Sequence, residues 1–584
     1  MQSRPFRVVI RKTIMLFLCV FMLYGHGFAG DTARGMAGRI AQVSAEGKAE
    51  SAHITADPIS EALRRHLERP RESRRIWEGC EPVYVTGSLV SFYAWRDWKP
   101  VWVSENGPSE AAAALVDALG ESENHGLIPA DYNHGCLSGW LDALERDRSW
   151  GFTAWDLDAF EAALTDAFVR YARHLARGKA EPGNIYRDWR AEKQGRGDAY
   201  GLLEDIGYPA DVREALAALA PVCPGYTASI AEARRLRGII DSGGWPEIPG
   251  GETLRKGDRS SGVCLLAGRL AMDGDLPADL SDIGEDESGC LFDRKLEKAL
   301  VRFQKRHGLT PDGVAGPSTL EALNRPAQDR LRIVLVNMER RRWLPRNFGS
   351  RHIVVNTAAF ELEAYENGRR VLEMAVIVGE QDARTPQFSR NMSYLEINPY
   401  WNVPRGVLER VILPRIRENP DYLGANRYKL ITDSEADSGG NDPDAIDWSG
   451  IDADSFPGRL RQKPGPWNSL GRIKFMFPNR YHIYLHDTPD RHLFERSVRT
   501  FSSGCVRVEK PVTLALFALE NDPAWDRRGI EKAIESGETS VVYVREPLGV
   551  HLVYRTFWID PDGDANYRRD VYELDELLWR SLQY

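Results

Sequence analysis

Near residue 350 the apolar rhythm of the chain changes, and that change divides what it can fold into. Upstream, apolar residues recur every three to four positions. Glu110 to Leu119, and Trp155 to Arg177 stopped by Gly178, read as helices. Downstream the period falls to two. Ile353 to Val355, Phe360 to Tyr365, Val371 to Val378 and Tyr394 to Ile397 read as short strands, and Asn367-Gly368 is a strong hairpin signal between two of them. Ile473 to Phe475, Tyr481 to Leu485, Thr539 to Val544 and Val550 to Trp558 continue the strands, with a helix over Pro511 to Leu519. A chain of 584 residues exceeds one hydrophobic core. The expected fold class is therefore multidomain α and β, with a helical part first and a mostly-β part last.

The first thirty residues stand apart. Arg4, Arg7, Arg11 and Lys12 precede an apolar run from Ile14 to Tyr24, followed by small residues up to Gly30. That order is the order of a secretory signal. Cleavage after Ala29 and retention as an inner-membrane anchor are both open, and either exports the rest. Residues 31–55 read as a flexible lead-in, and 56–250 as mainly helical. The aromatic run Phe92 to Trp102 is read first as core or domain packing. Gly-Gly-Trp-Pro and Pro-Gly-Gly within 243–251 look like a linker. A compact helical unit spans about 253–325, and Pro326 to Trp343 looks like a connecting helix within 326–350. A polar stretch at about 406–470 interrupts the strands, as a functional lid or as disorder.

Without the four basic residues of the leader, 72 of the 76 Lys and Arg face 85 Asp and Glu, a net charge of −13. No basic block suggests a nucleic-acid groove. Beyond Cys19 of the leader, the cysteines are Cys80, Cys136, Cys223, Cys264, Cys290 and Cys505. None forms a C-x-x-C pair, so a zinc site is not expected, and nothing in the sequence suggests another metal or a cofactor. An oxidising compartment permits disulfides among the first five. Cys264 with Cys290 and Cys80 with Cys136 are candidates that sequence does not choose between.

The chemistry concentrates in His486-Asp487-Thr488-Pro489 and Ser502-Ser503-Gly504-Cys505-Val506-Arg507-Val508. A thiol attacks a carbonyl only as thiolate, so it needs a base or a positive field nearby. His486, at the end of an alternating apolar strand, can face a cleft and take the proton. The small residues before Cys505 let a substrate approach the main chain. The N–H groups of Ser503, Gly504 and Cys505 can then form an oxyanion hole. Singly, a Cys is more often a buried small side chain and a His a satisfied core or surface residue. Their combination points to catalysis.

Two resemblances follow. Phe303-Gln304, Gly308-Leu309, Asp312-Gly313, Gly316, Thr319 and Ala322-Leu323-Asn324 resemble a three-helix peptidoglycan-binding domain. The signature H-x(18)-C with S-x-G-C-x-R resembles the catalytic motif of the L,D-transpeptidase family. So do Asn356-Thr357-Ala358, Val376 to Gly379, Arg384-Thr385-Pro386, Asn398 to Pro404 and Pro464 to Gly471. The large subgroup with an N-terminal helical scaffold and an inserted lid fits best. Many members carry His where Ser503 stands, and Ser there marks that subgroup.

The resemblance implies a helical scaffold at 56–250, a peptidoglycan-binding domain at 253–325 and a mostly-β catalytic domain at 351–584. It implies Cys505 as the acylated nucleophile and His486 as its base, with Gly504 and Ser503 in the oxyanion loop and Ser502 stabilising it. The main-chain carbonyl of Asp487 orients the imidazole. Arg507 supports the loop or binds a substrate carboxylate. Tyr484 and Trp401 line the cleft or pack the core. The implied partners are peptidoglycan peptide stems, with carbapenem β-lactams as inhibitors, in the periplasm. The implied reaction releases D-alanine from a tetrapeptide stem and forms a 3→3 cross-link. The rivals are a cell-wall cysteine L,D-carboxypeptidase or endopeptidase and a non-catalytic wall-binding protein.

Overall fold

A computed structural model of the protein describes residues 57–68, 87–146, 154–186, 199–203, 209–277, 290–419, 421–431, 447–520 and 522–583. The leader and lead-in lie outside the described residues. Among the described residues no helix is long and apolar enough to cross a membrane.

The helical part packs α1 (Glu110–Gly120), α2 (Ala154–Arg177) and α3 (Pro224–Asp241) around one apolar core. Ser109 caps α1, accepting from Ala112 N at 3.2 Å. Of the aromatic run, Phe92, Tyr93 and Trp102 are buried there, while Trp95 is exposed. The chain leaves α2 through Gly178, with φ 87°, and a Cβ there would run into Glu339 and Trp343. Only glycine suits both the left-handed backbone and the close approach.

A smaller core follows, built by α4 (Ser261–Met272), α5 (Arg294–Arg306) and α6 (Pro317–Asn324). Disulfide Cys264–Cys290 closes one side. Cys136 is also disulfide-bonded, and Cys80 lies outside the described residues. The expected linker is packed: Ile248 is buried in this core, and the ring of Trp245 lies under the guanidinium groups of Arg269 and Arg330, at 3.6 and 4.9 Å.

Helix α7 (Ala327–Trp343) is more than a connection. Ile333, Val334, Leu335 and Met338 join the scaffold core, and Val336 and Trp343 pack on the C-terminal helix. Its charged residues are buried as well, so its apolar period is hidden. They survive burial through pairing, Arg330 with Asp273 at 2.7 Å and Arg340 with Asp575 at 2.5 Å.

The strands begin with β1 (Arg351–Asn356), β2 (Glu361–Glu366), β3 (Arg369–Gly379) and β4 (Phe388–Ile397). Asn367 and Gly368 have φ 49° and 78°, the paired positive angles that a two-residue hairpin turn requires. Next come β5 (Trp401–Asn402), β6 (Tyr428–Ile431) and β7 (Arg459–Gln462), which form a separate sheet in the order β6-β7-β5. The polar stretch expected as a lid or as disorder has its own core of Leu408, Ile412, Leu413, Ile416, Leu423, Trp448 and Leu460. Residues 432–446 of it lie outside the described residues.

Strands β8 (Ile473–Met476), β9 (Leu485–His486), β10 (Thr500–Ser502) and β11 (Val506–Val508) precede helix α8 (Pro511–Ala518) and strand β12 (Ser540–Val553). The large sheet runs β10-β3-β11-β9-β8-β4-β12-β1-β2, and β2 also pairs with β3, so the sheet closes on itself. Its interior is Leu362, Val376, Leu395, Phe475, Leu485, Val506 and Val550, with α8 adding Leu514 and Ala515. The two expected closing strands are one 14-residue strand, irregular between Tyr543 and Leu548, followed by β13 (Phe557–Ile559). Strand β14 (Ala565–Tyr567) and helix α9 (Asp575–Gln583) complete the chain.

One strand expectation fails next to the site. Tyr481 to Leu485 is not an extended strand, because only Leu485 and His486 pair. Asn479 reorganises the approach: its side-chain oxygen accepts from Tyr481 N and Ile483 N at 3.0 and 3.2 Å, and its amide donates to Ile483 O at 2.7 Å. His482 takes φ 56° in that turn. A side chain that satisfies local main-chain groups competes with the ladder.

Candidate active site

Strands β9 and β11 pair in parallel with Leu485 opposite Val506 and His486 opposite Arg507. Cys505, just before β11, therefore stands opposite Tyr484, and Val506 N donates to Tyr484 O at 3.2 Å. Alternation places Cys505, Tyr484 and His486 on one face. From strand spacing and the rise of two residues, the Cβ atoms of 505 and 486 are roughly 8 Å apart, a span that an imidazole and a thiol bridge. The Tyr484 and His486 rings meet edge to face with centroids 5.6 Å apart.

The imidazole is held by its Nδ1. That atom lies 2.5 Å from the main-chain oxygen of Asp487. A carbonyl only accepts, so Nδ1 carries the proton and Nε2 is left as the basic nitrogen. Burial, and then the positive charges of Arg507 and Lys474, push the imidazole pKa down to about 3. The Asp487 carboxylate turns away from the ring. It accepts from Arg472 N at 2.8 Å and pairs with Arg491 at 3.3 Å, so its part in the site is structural.

Burial pushes the Cys505 thiol up, while the main chain and hydroxyl of Tyr484, then Lys474 and Arg507, pull it back down. The Tyr484 hydroxyl also meets the Trp401 side chain. The indole N–H can only donate, so the direction runs from Trp401 to Tyr484 to the Cys505 sulfur. Both Tyr484 and Trp401 thus touch the cysteine's surroundings. Lys474 sits with Nζ 4.6 Å from the Tyr484 ring centroid and 3.4 Å from Glu396. The thiol lies 3.9 Å from the His482 carbonyl, made available by the Asn479 turn.

The loop before Cys505 is fixed differently from the expectation. Gly504 N donates to Ser502 Oγ at 3.1 Å, and that hydroxyl donates to Cys505 O at 2.5 Å. The Gly504 N–H is therefore engaged, and of the three donors expected there those of Ser503 and Cys505 remain. Gly504 has φ 112°, a conformation that L side chains rarely adopt. Its carbonyl accepts from Thr385 Oγ1 at 2.8 Å, and Thr385 Oγ1 accepts from Gly379 N at 2.9 Å. Tyr572 donates to Gly379 O at 2.7 Å from the far end of the chain. Arg507 donates to Asp490 at 2.9 Å while its Nε is buried without a hydrogen-bond acceptor, so its observed contact is with the loop after His486.

Sequence reading did not assign Lys474, Thr385, Asn479 or Tyr572 to the site. Thr385 stands inside the Arg-Thr-Pro motif already singled out, which was its only local signal. Among the described residues no group of His, Cys, Asp and Glu could hold a metal ion.

Residues 350–525 match the family described as the L,D-transpeptidase catalytic domain. Residues 87–231 match a "Scaffold domain", and residues 284–323 a "Putative peptidoglycan binding domain". A Haemophilus influenzae protein named "Putative L,D-transpeptidase" is 37% identical over 228 residues. That match covers 39% of this chain and 45% of the relative, so the chain spans less than half of that relative's length. Two crystal structures are also similar. The L,D-transpeptidase (residues 123–326) of Xylanimonas cellulosilytica is 16% identical, with TM-score 0.17, covering 53% of this chain and 100% of that one. The L,D-transpeptidase of Stackebrandtia nassauensis is 14% identical, with TM-score 0.20, covering 53% and 96%.

Proposed function

We propose that this chain, whose residues 350–525 match the L,D-transpeptidase catalytic domain and residues 284–323 a peptidoglycan-binding domain, carries out a cysteine acyl-transfer reaction on peptide stems. His486 Nε2 takes the proton of Cys505, and the sulfur attacks the carbonyl of the third residue of a tetrapeptide stem. The new oxyanion rests on the N–H groups of Ser503 and Cys505. The C–N bond to the terminal D-alanine breaks, and the imidazolium returns its proton to the leaving amine. The side-chain amine of a neighbouring diaminopimelate then gives a proton to His486 and attacks the thioester. Its C–N bond forms as the C–S bond breaks, leaving a 3→3 cross-link and restoring the thiol.

The observation that carries this reading is the register of β9 and β11 together with the carbonyl grip on His486 Nδ1. No step requires a cofactor. The work site is the wall, outside the cytoplasmic membrane. The disulfide Cys264–Cys290 supports an oxidising compartment, the periplasm.

The test is mass spectrometry of products from defined tetrapeptide stems, alongside carbapenem labelling of wild type and Cys505→Ala. Dimers, released D-alanine and loss of label in the variant are expected. Undiminished labelling of Cys505→Ala rejects the nucleophile. Trimmed monomers without dimers make the protein a carboxypeptidase. Retention on sacculi with neither D-alanine release nor labelling makes it a wall-binding protein.

A further inference from the structure

The lid sheet has two unlike faces. Leu430 opposes Leu460 on the inner face, where Trp401 opposes Gln462 and reaches Tyr484 beside the nucleophile. On the outer face Lys429 opposes Arg461, and Arg459 opposes Ile431. Like charges directly opposite each other destabilise a pair of strands. Among the described residues no acidic side chain forms an ion pair with Lys429, Arg459, Arg461 or the adjacent Arg427. This cationic surface sits on a chain of formal net charge −9.

Two exposed aromatic rings stand at its border, Tyr400 at 46% and Trp467 at 45% exposure. The Arg461 guanidinium lies 5.6 Å from the Tyr400 ring and that of Arg427 5.5 Å from the Trp467 ring. Arg461 Nε also donates to Asn402 Oδ1 at 2.7 Å, which fixes its fork against the sheet. The result is a set of oriented cations next to flat apolar rings, on the back of the sheet whose front carries Trp401.

We propose that this outer face of the lid sheet binds an anionic glycopeptide strand of the wall, with stem carboxylates on Lys429, Arg459 and Arg461 and sugar rings on Tyr400 and Trp467. The identity of that polymer rests on the function proposed above. The surface itself rests on the unpaired cations. Carboxylates suit guanidinium forks, and the CH faces of sugars suit exposed rings. An anionic bilayer is the less suitable occupant. Among the described residues the face offers no cluster of protruding aliphatic side chains to insert. A strand held here is one sheet thickness from the cleft, so the face presents stems to Cys505 in addition to the domain at 253–325.

The experiment measures binding of soluble peptidoglycan oligomers, released from sacculi by brief muramidase digestion, to the full chain. Wild type is compared with Lys429→Gln/Arg459→Gln/Arg461→Gln and with the charge-keeping Lys429→Arg/Arg459→Lys/Arg461→Lys. Thermal midpoints confirm equal folding. The neutral variant is expected to bind on the order of tenfold more weakly, with a shallower salt dependence, and the charge-keeping variant to retain affinity. Equal affinity and salt dependence in wild type and the neutral variant overturn the proposal. So does displacement of the oligomers by phosphatidylglycerol vesicles that requires the same three cations, which assigns the face to a membrane. Carbapenem acylation of Cys505 in wild type is read separately. Its absence with intact, cation-dependent oligomer binding rejects the catalytic reading and leaves this surface standing.

Discussion

Thr385 Oγ1 donates to the carbonyl of Gly504 at 2.8 Å, joining the turn after β3 to the residue before the nucleophile. The same oxygen accepts from Gly379 N, so one hydroxyl holds two main-chain segments together. Thr385→Val keeps the shape and removes both bonds, leaving a buried carbonyl and a buried N–H unpaired at about 1–3 kcal/mol each. Carbapenem acylation of Cys505 should slow on the order of tenfold while Thr385→Ser stays close to wild type. Equal rates for Val and Ser would remove Thr385 from the site.

Tyr484→Phe takes away the hydroxyl that bonds the Cys505 sulfur and leaves the Trp401 indole without its acceptor. The thiol pKa should rise further, so the acylation profile shifts to higher pH with a lower rate at neutrality. A structural role alone would lower the thermal midpoint without moving the profile. The pH dependence of acylation separates the two.

How much of this was legible beforehand varies with the range of the interactions. Cys505, His486, the Asn367-Gly368 hairpin and the Gly178 helix stop are local signals, and each sits where its neighbours in sequence place it. Thr385 and Tyr572 act on Gly504 and Gly379 across long stretches of chain, and no local pattern announces that. Tyr481 to Leu485 alternates like a strand, yet the Asn479 side chain folds it into a turn. The oxyanion loop shows the same effect in miniature: Ser502 Oγ occupies the Gly504 N–H that an alignment of small residues leaves open. Helix α7 was legible as a connection, but its burial between the units was not, because its arginines find their partners on other elements.

The acid side of the profile follows from His486. Its folded pKa of about 3 lies below the ordinary imidazole value of about 6.5, so the native imidazole is already neutral at pH 5. Acylation should therefore rise with pH through the raised thiol pKa, with no loss of base near pH 6. For stability the sign is the opposite of a paired histidine. The unfolded chain binds the proton first, so this contribution is complete above pH 6.5 and is lost as pH falls toward 3. Denaturant melts at pH 7 and pH 4 for wild type and His486→Gln test this, with a smaller pH effect expected in the variant.

Asp273 is buried between Arg330 at 2.7 Å and Arg269 at 3.1 Å, and those two cations hold its carboxyl far below the usual range against the opposing effect of burial. Asp273→Asn leaves both guanidinium groups buried without their counter-charge, a loss of about 3–5 kcal/mol. Calorimetry should show a marked fall in the thermal midpoint. Cys505 labelling at low temperature should persist, because this cluster lies at the junction of the helical units and not in the cleft.

The seam between α5 and the C-terminal hairpin β13–β14 bears on how such an enzyme would work in a mesh. Arg306 binds Asp275 and donates to Ala565 O at 2.5 Å, Arg568 donates to Arg306 O at 2.9 Å, and the His307 ring stacks on Tyr567 at 5.1 Å. The unit at 253–325 is bolted to the hairpin that continues the catalytic domain rather than tethered to it. Under the function proposed above, whatever grips that unit would also aim the Cys505 thiol, and the molecule would act as a caliper with a set opening, joining only those strands that lie one fixed reach from its foothold.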